Sequence, residues 1–350
     1  MLNLVKSQVY MRIFQSTWFP VCLGIIITVL ILTSLLPSAP KTILVNSSTD
    51  QYKEDEEWID PEEKEIPDDS NGDLIRYGKE LIVNTSKYLG PNGIVVPITN
   101  GMNCQNCHLD AGRKNFAIPL SAVAATFPKW LDRSEKIQSV ESRVNDCLQR
   151  SLNGKPLDSL NYEMRAFVAY LKWLGHKVPK GVKPRGSGIH ALPYLTRAAD
   201  PGKGKIIYQN ECSRCHGTNG EGILSTDNTG HVYPALWGDS SYNINATLYR
   251  IIPLSSFIKA NMPFDKVNSS TFLSDEEAWD VAAYIISKPR PGTQFTTDWP
   301  NLVKKPLDYP YAPYTDNFSE LQHKYGPFGP IKNAKAGSKL SPKQITAGLK

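Results

Sequence analysis

The chain opens on a long apolar stretch. From Trp18 to Leu36 nineteen residues pass without a charge, close to the roughly 20 needed to span a bilayer. Lys6 and Arg12 precede the run and no acid occurs before Asp50, so the positive flank is expected in the cytoplasm and everything after it outside. A cleaved export signal is the competing reading. The run is long for a signal core, and Pro37-Ser38-Ala39 is a poor small-x-small cleavage site; both favour an anchor that stays. The pattern then inverts. Residues 38–72 are rich in acid, proline and serine and poor in apolar positions, which predicts an extended linker unable to fold alone.

Beyond the linker, apolar positions recur at helical spacing in two places. Leu160, Met164, Phe167, Val168, Leu171 and Leu174 form one such stripe; Ala278, Val281, Ala282, Ile285 and Ile286 form another. Ser274 with Glu277 makes a capping box at the start of the second. Each stripe closes a module, and the modules resemble each other at their beginnings: Gly78-Lys79-Glu80-Leu81-Ile82 against Gly204-Lys205-Ile206-Ile207. No alternating pattern competes, so the body is expected to be mostly α. The first module carries an extra loop of Gly, Pro and Asn over 89–101, and residues 178–200 are expected to join the two. Beyond Pro289 the chain turns rich in Pro and Tyr. Residues 289–330 are expected to wrap the surface without regular structure, and the last twenty to be disordered. The domain reading is therefore a cytoplasmic N-terminus at 1–17, an anchor at 18–37, the acidic linker at 38–72, a first domain at 73–180, a second at 181–290, and the wrap with its basic tail at 291–350.

Charge sharpens this picture. The 350 residues carry a net +5, too mild to suggest a nucleic-acid partner. Residues 50–73 hold twelve acids against two lysines, a charge of −10. The rest of the chain is left with +15, a basic body suited to anionic ligands or an acidic partner.

The chemistry lies in the cysteines. Four of the six fall in Cys104-Gln105-Asn106-Cys107-His108 and Cys212-Ser213-Arg214-Cys215-His216. Two thiols three residues apart reach the two vinyl groups of one haem, and the next residue, His, faces the iron as its proximal ligand. A bare Cys-x-x-Cys would equally suit a redox dithiol or half a zinc site. Two copies with His attached, behind an export segment, point to two covalently bound haems c. His108 and His216 are the proximal ligands. Cys22, early in the apolar run, is a small apolar residue of the span.

The sixth ligands differ. In the second module Met262, followed by Pro263, sits between the haem motif and the closing helix, as in the distal loop of class I cytochromes c, and His/Met ligation raises the potential. The first module lacks such a loop; Met102 is too close to Cys104, and Met164 belongs to the packed stripe. What it has instead is Cys147. An apolar structural cysteine is the ordinary reading. Against it, Arg143, Cys147, Arg150 and Ser151 fall on one helical face, nearby cations favour the thiolate, and Arg and Ser suit an oxyanion. The remaining histidines, His176, His190, His231 and His323, read as surface or satisfied core residues. Gly112-Arg113-Lys114 adds positive charge past the first motif or is a solvated turn.

The stretch from Phe127-Pro128 through Arg133-Ser134 and Arg143-Val144-Asn145-Asp146-Cys147 to Asn153-Gly154-Lys155-Pro156-Leu157 resembles the bacterial dihaem thiosulfate dehydrogenases. The resemblance runs from about Gly78 to Phe328 and includes His323-Lys324-Tyr325-Gly326-Pro327-Phe328. It implies two class I cytochrome c-like haem domains. It further implies His108 and Cys147 as axial ligands of one haem, and His216 and Met262 as those of the other. Thiosulfate would be bound by Arg133, Arg143 and Ser151 and joined pairwise to tetrathionate in either direction. Electrons would pass to an acceptor cytochrome or membrane oxidase on the periplasmic or outer face. Two departures stand out: Asn261 occupies the place before the Met where some members carry Lys, and this chain has an anchor where many members are soluble. A plain dihaem electron carrier is the alternative, and an enzyme loading sulfur onto a carrier protein is a third.

Overall fold

The computed structural model describes residues 57–266, 272–292 and 294–338. The apolar run at 18–37 lies outside them, and among the described residues no helix is long and apolar enough to cross a membrane.

Two helical pairs organise the body. In the first domain, α1 (Ser70–Val83) crosses α3 (Tyr162–Leu174), with α2 (Val140–Arg150) between them in sequence. In the second, α4 (Pro201–Ile207) crosses α6 (Asp275–Ile286), with α5 (Ile251–Asn261) preceding α6. The repeated Gly-Lys pair now has its physical reason. A Cβ on Gly78 would lie 2.1 Å from the carbonyl oxygen of Ala166, and one on Gly204 would lie 1.9 Å from that of Asp280. Only glycine lets each opening helix approach its closing helix so nearly.

The helix ends are set locally. The side chain of Asp69 accepts from the backbone N–H groups of Asn71 and Gly72, both at 2.9 Å, and so starts α1. Ser274 and Glu277 form the expected reciprocal cap on α6. Asn161 caps α3, so the helix begins at Tyr162 and Leu160, counted into its stripe from sequence, lies outside it and is exposed. Two short antiparallel ribbons interrupt the otherwise helical body: β1 (Lys129–Leu131) with β2 (Lys136–Gln138), and β3 (Ile223–Leu224) with β4 (His231–Tyr233). With three residues or fewer per strand, neither could show an alternating pattern.

Two segments expected to be irregular are part of the packed body. Within the acidic linker, Trp58 and Ile66 are buried in the first core. Asp60 accepts from Nε of Arg113 at 2.6 Å, and Glu65 from Nζ of Lys177 at 2.7 Å. The acids from residue 57 onward thus fold back onto basic side chains of the first domain. Arg113, read as a source of free positive charge, is neutralised there. At the other end, the wrap contains α7 (Glu320–Tyr325) and α8 (Phe328–Ser338). Phe328 and Ile331 are fully buried in the second core. The sequence expectation failed there because α8 is weakly amphipathic and buries just a few large side chains. His323 is a satisfied core residue, bonded to the Leu307 carbonyl at 2.7 Å and to Asp316 at 2.9 Å.

The first haem motif straddles the two cores. Cys104 packs against the first, while Cys107 and Leu109 pack with the second.

Candidate active site and haem centres

Both proximal histidines are oriented in the same way. Nδ1 of His108 lies 2.6 Å from the carbonyl oxygen of Ile118, and Nδ1 of His216 lies 2.9 Å from that of Pro234. A carbonyl only accepts, so Nδ1 carries the proton and Nε2 keeps the lone pair that binds a metal. None of the four motif cysteines is in a disulfide, so all four are available for haem attachment.

Around the second motif lies a cavity of about 770 Å³ lined by Cys212, Cys215, His216 and Met262 with apolar Leu254 and Phe257. Its other wall is formed by residues of the first motif, including Asn106 and Cys107. Tyr242 also lines it, and its hydroxyl is buried without a hydrogen-bond partner. An apolar cleft with two thiols, an oriented imidazole, a thioether and an orphaned hydroxyl fits a haem. Residues 212–216 and 262 would hold it.

The first centre has another character. Cys147 lies on α2, four residues after Arg143. Burial would raise its thiol. The charge of Arg143, with His108 beside it, outweighs that and brings it down to about 7. The structure brings His108, Cys147 and Arg143 together. Arg133 lies in the β1–β2 turn. Its carbonyl accepts from the backbone N–H of Trp299 at 2.7 Å, and its guanidinium sits 5.6 Å from the Trp299 ring. Burial lowers its pKa, and the neighbouring Arg150 adds to that. Among the described residues neither Arg133 nor Arg143 makes an ion pair. Ser151 follows α2, its N–H donating to the Cys147 carbonyl at 2.8 Å.

Arg150, taken from sequence as another cation flanking Cys147, is already spoken for. Asp298 holds it with two parallel bonds at 2.7 and 2.8 Å, and Asp146 lies 3.4 Å away. Burial would lower its pKa, but these carboxylates raise it. Asp298 and Trp299 are the site residues that sequence reasoning missed. They lie 148 residues and more from the groups they touch, and no local pattern marks them.

Residues 96–179 match the model of the SoxA/TsdA cytochrome c domain, and residues 202–289 that of cytochrome c. A thiosulfate dehydrogenase of Psychrobacter arcticus is 40% identical over 242 residues, 69% of this chain and 71% of that protein. One of Stutzerimonas stutzeri is 38% identical over 231 residues, 66% and 72%. The chain belongs to the thiosulfate dehydrogenase family. It is an oxidoreductase with two covalently bound c-type haems. Among solved structures, the thiosulfate dehydrogenase TsdBA of Marichromatium purpuratum matches with a TM-score of 0.63 at 28% identity, covering 72% of this chain and 52% of that one. The chain thus spans about half the length of that structure. The first matched segment holds α2 and α3, and the second runs from within α4 through α6.

Proposed function

We propose that this protein joins two thiosulfate dianions into tetrathionate at a centre built from His108, Cys147, Arg133, Arg143 and Ser151. Electrons leave through the second haem domain to an acceptor cytochrome or membrane oxidase. The observation that carries this reading is a half-buried cysteine drawn toward thiolate by Arg143, which, like the neighbouring Arg133, forms no ion pair among the described residues. A plain carrier has no use for such a pocket.

In this reading Cys104, Cys107, His108 and Cys147 would hold one haem, and Cys212, Cys215, His216 and Met262 the other. Each haem, when bound, takes one electron, which suits a two-electron coupling. The protein's own groups do the rest. Two dianions repel one another, and Arg133 and Arg143 offset that repulsion; each charge-assisted bond contributes about 1.5–3 kcal/mol. The Cys147 thiolate bonds to the outer sulfur of one thiosulfate, releasing two electrons and leaving Cys147–S–S–SO₃⁻. The outer sulfur of a second thiosulfate attacks that same sulfur, tetrathionate departs, and the Cys147 thiolate is regenerated. The steps are reversible, so the same site serves tetrathionate reduction. Residues 18–37 anchor the protein, with its body on the periplasmic or outer face.

The test is thiosulfate-dependent reduction of an artificial acceptor, wild type beside Cys147→Gly. Tetrathionate from the wild type alone, with two haems in both, supports the reading. Electron exchange with redox partners but no reaction with thiosulfate or tetrathionate leaves a dihaem carrier.

A further inference from the structure

We infer that the second domain braces the backbone segments that position both axial residues of the first haem, through Asn261 at the His108 loop and Asn243 at the end of the Cys147 helix, so that the two centres are mechanically coupled. The inference rests on the reading of His108 and Cys147 as the two axial residues of one haem.

Asn261 is fully buried and directly precedes Met262. Its Nδ2 donates to the carbonyl of Phe257 on its own helix at 3.2 Å and to that of Phe116, in the first domain, at 3.1 Å. Phe116 lies two residues before Ile118, whose carbonyl orients His108. Both Phe116 and Ile118 have positive φ, 60° and 54°. Bulky residues, and β-branched ones above all, keep that conformation only where their surroundings impose it. The loop is gripped from its other side by the N–H of Phe116 donating to Gly186 at 2.8 Å. The bond from Asn261 is therefore one of the restraints that hold the His108 acceptor in place.

Asn243 acts on the opposite ligand. It is 3% exposed. Its backbone N–H donates to the Arg150 carbonyl at 3.0 Å and its Nδ2 to the Gln149 carbonyl at 2.8 Å. Both carbonyls belong to the last turn of α2, where no intrahelical donor remains. Its Oδ1 accepts from the N–H of Asn245 at 2.9 Å, which fixes the side chain. The C-terminus of the Cys147 helix is thus capped from the second domain.

The residues beside these asparagines, Met262 and Tyr242, both line the second haem cavity. Any rearrangement in that cavity is transmitted by one covalent link and one hydrogen bond to the His108 loop, and likewise to the Cys147 helix. By linkage the effect is reciprocal. For a two-electron reaction discharged through single-electron centres, such a coupling lets the state of the exit haem set the potential of the first.

If the asparagines were only interdomain glue, their loss would lower the melting temperature and leave the first haem's ligation alone. The test uses the full-length dihaem protein with Asn243→Ala, the milder Asn243→Ser, and Asn261→Ala. Haem content is checked at two per chain. The readouts are the midpoint potential of each haem and the electron paramagnetic resonance signal of a thiolate-ligated ferric haem. Asn243 touches neither Met262 nor His216, so its variants decide. The expected result is a shifted first-haem potential and an altered thiolate signal with the Met-ligated haem unchanged, and shifts at both haems for Asn261→Ala. Wild-type potentials and signals at the first haem in all variants, with only a lower melting temperature, would overturn the coupling. A wild type without any thiolate-ligated signal would refute the Cys147 reading itself, and this inference with it.

Discussion

The two haem domains use one scaffold for two chemistries. Both cross an opening and a closing helix at a glycine, Gly78 on Ala166 and Gly204 on Asp280. Both direct the proximal imidazole with a backbone carbonyl. They part on the distal side. The second domain presents Met262 in a cavity it shares with Leu254 and Phe257. The first presents Cys147 with Arg143 and Arg133, and burial there strengthens every charge interaction. In the function proposed above, what separates the electron exit from the reaction centre is one helix, α2, and the turn before it, with the framework unchanged.

The largest effect should come from removing that difference. Cys147→Gly is expected to lower thiosulfate-dependent turnover by about 1000-fold or more while both haems remain, as loss of a nucleophile does; steady-state rates with haem quantification check it. Next, Asp298→Ala strips the buried Arg150 of its bidentate partner. Leaving a buried charge wholly uncompensated costs about 3–5 kcal/mol; with Asp146 still 3.4 Å from Arg150, denaturant unfolding should show a loss somewhat below that, centred on the first domain. The same change in the second domain's counterpart pair, Arg197 with Asp280 at 2.8 and 2.9 Å, should cost less, because Arg197 is a third exposed.

Arg143→Gln is expected to raise the KM for thiosulfate by about 10- to 100-fold, one charge-assisted bond, and to leave the Met-ligated haem's spectrum untouched. If that spectrum changed instead, the division of labour between the domains would be wrong. The glycine variants sharpen the shared part of the comparison. Gly78→Ala and Gly204→Ala should each destabilise by about 1–3 kcal/mol, the usual cost of overpacking, read as a fall in melting temperature. Equal losses would mean that the two crossings bear equal weight. The smallest effect is expected from Glu65→Gln, which loosens an exposed contact with Lys177; the melting temperature should stay close to that of the wild type, because solvent screens such a pair.

Much of this was legible from the chain alone where the signal is local. The two Cys-x-x-Cys-His runs, the Met-Pro loop, the Ser274–Glu277 cap and the two Gly-Lys openings each lie within a few residues. Cys147 stood out because Arg143 falls one helical turn away. Errors arose where the deciding partner is distant. Arg150 looked like a free cation until Asp298, from the wrap, was found on it. The acids of 57–72 looked like a repelling linker, since like charges in sequence predict extension; in the fold, Arg113 and Lys177 convert them into a docked edge. Ile331 and Phe328 gave no periodic signal strong enough to set against the lysines around them.

The sequence by itself determined the two Cys-x-x-Cys-His runs, and with them two covalently bound haems, because covalent attachment depends on residue type and short spacing; it also singled out Met262 and Cys147 as the candidates for the remaining roles. Only the tertiary structure decided which charges are free and which are cancelled, and which backbones the second domain grips in the first. Those outcomes depend on distances between groups more than a hundred residues apart, and electrostatic and hydrogen-bond energies are set by distance and burial.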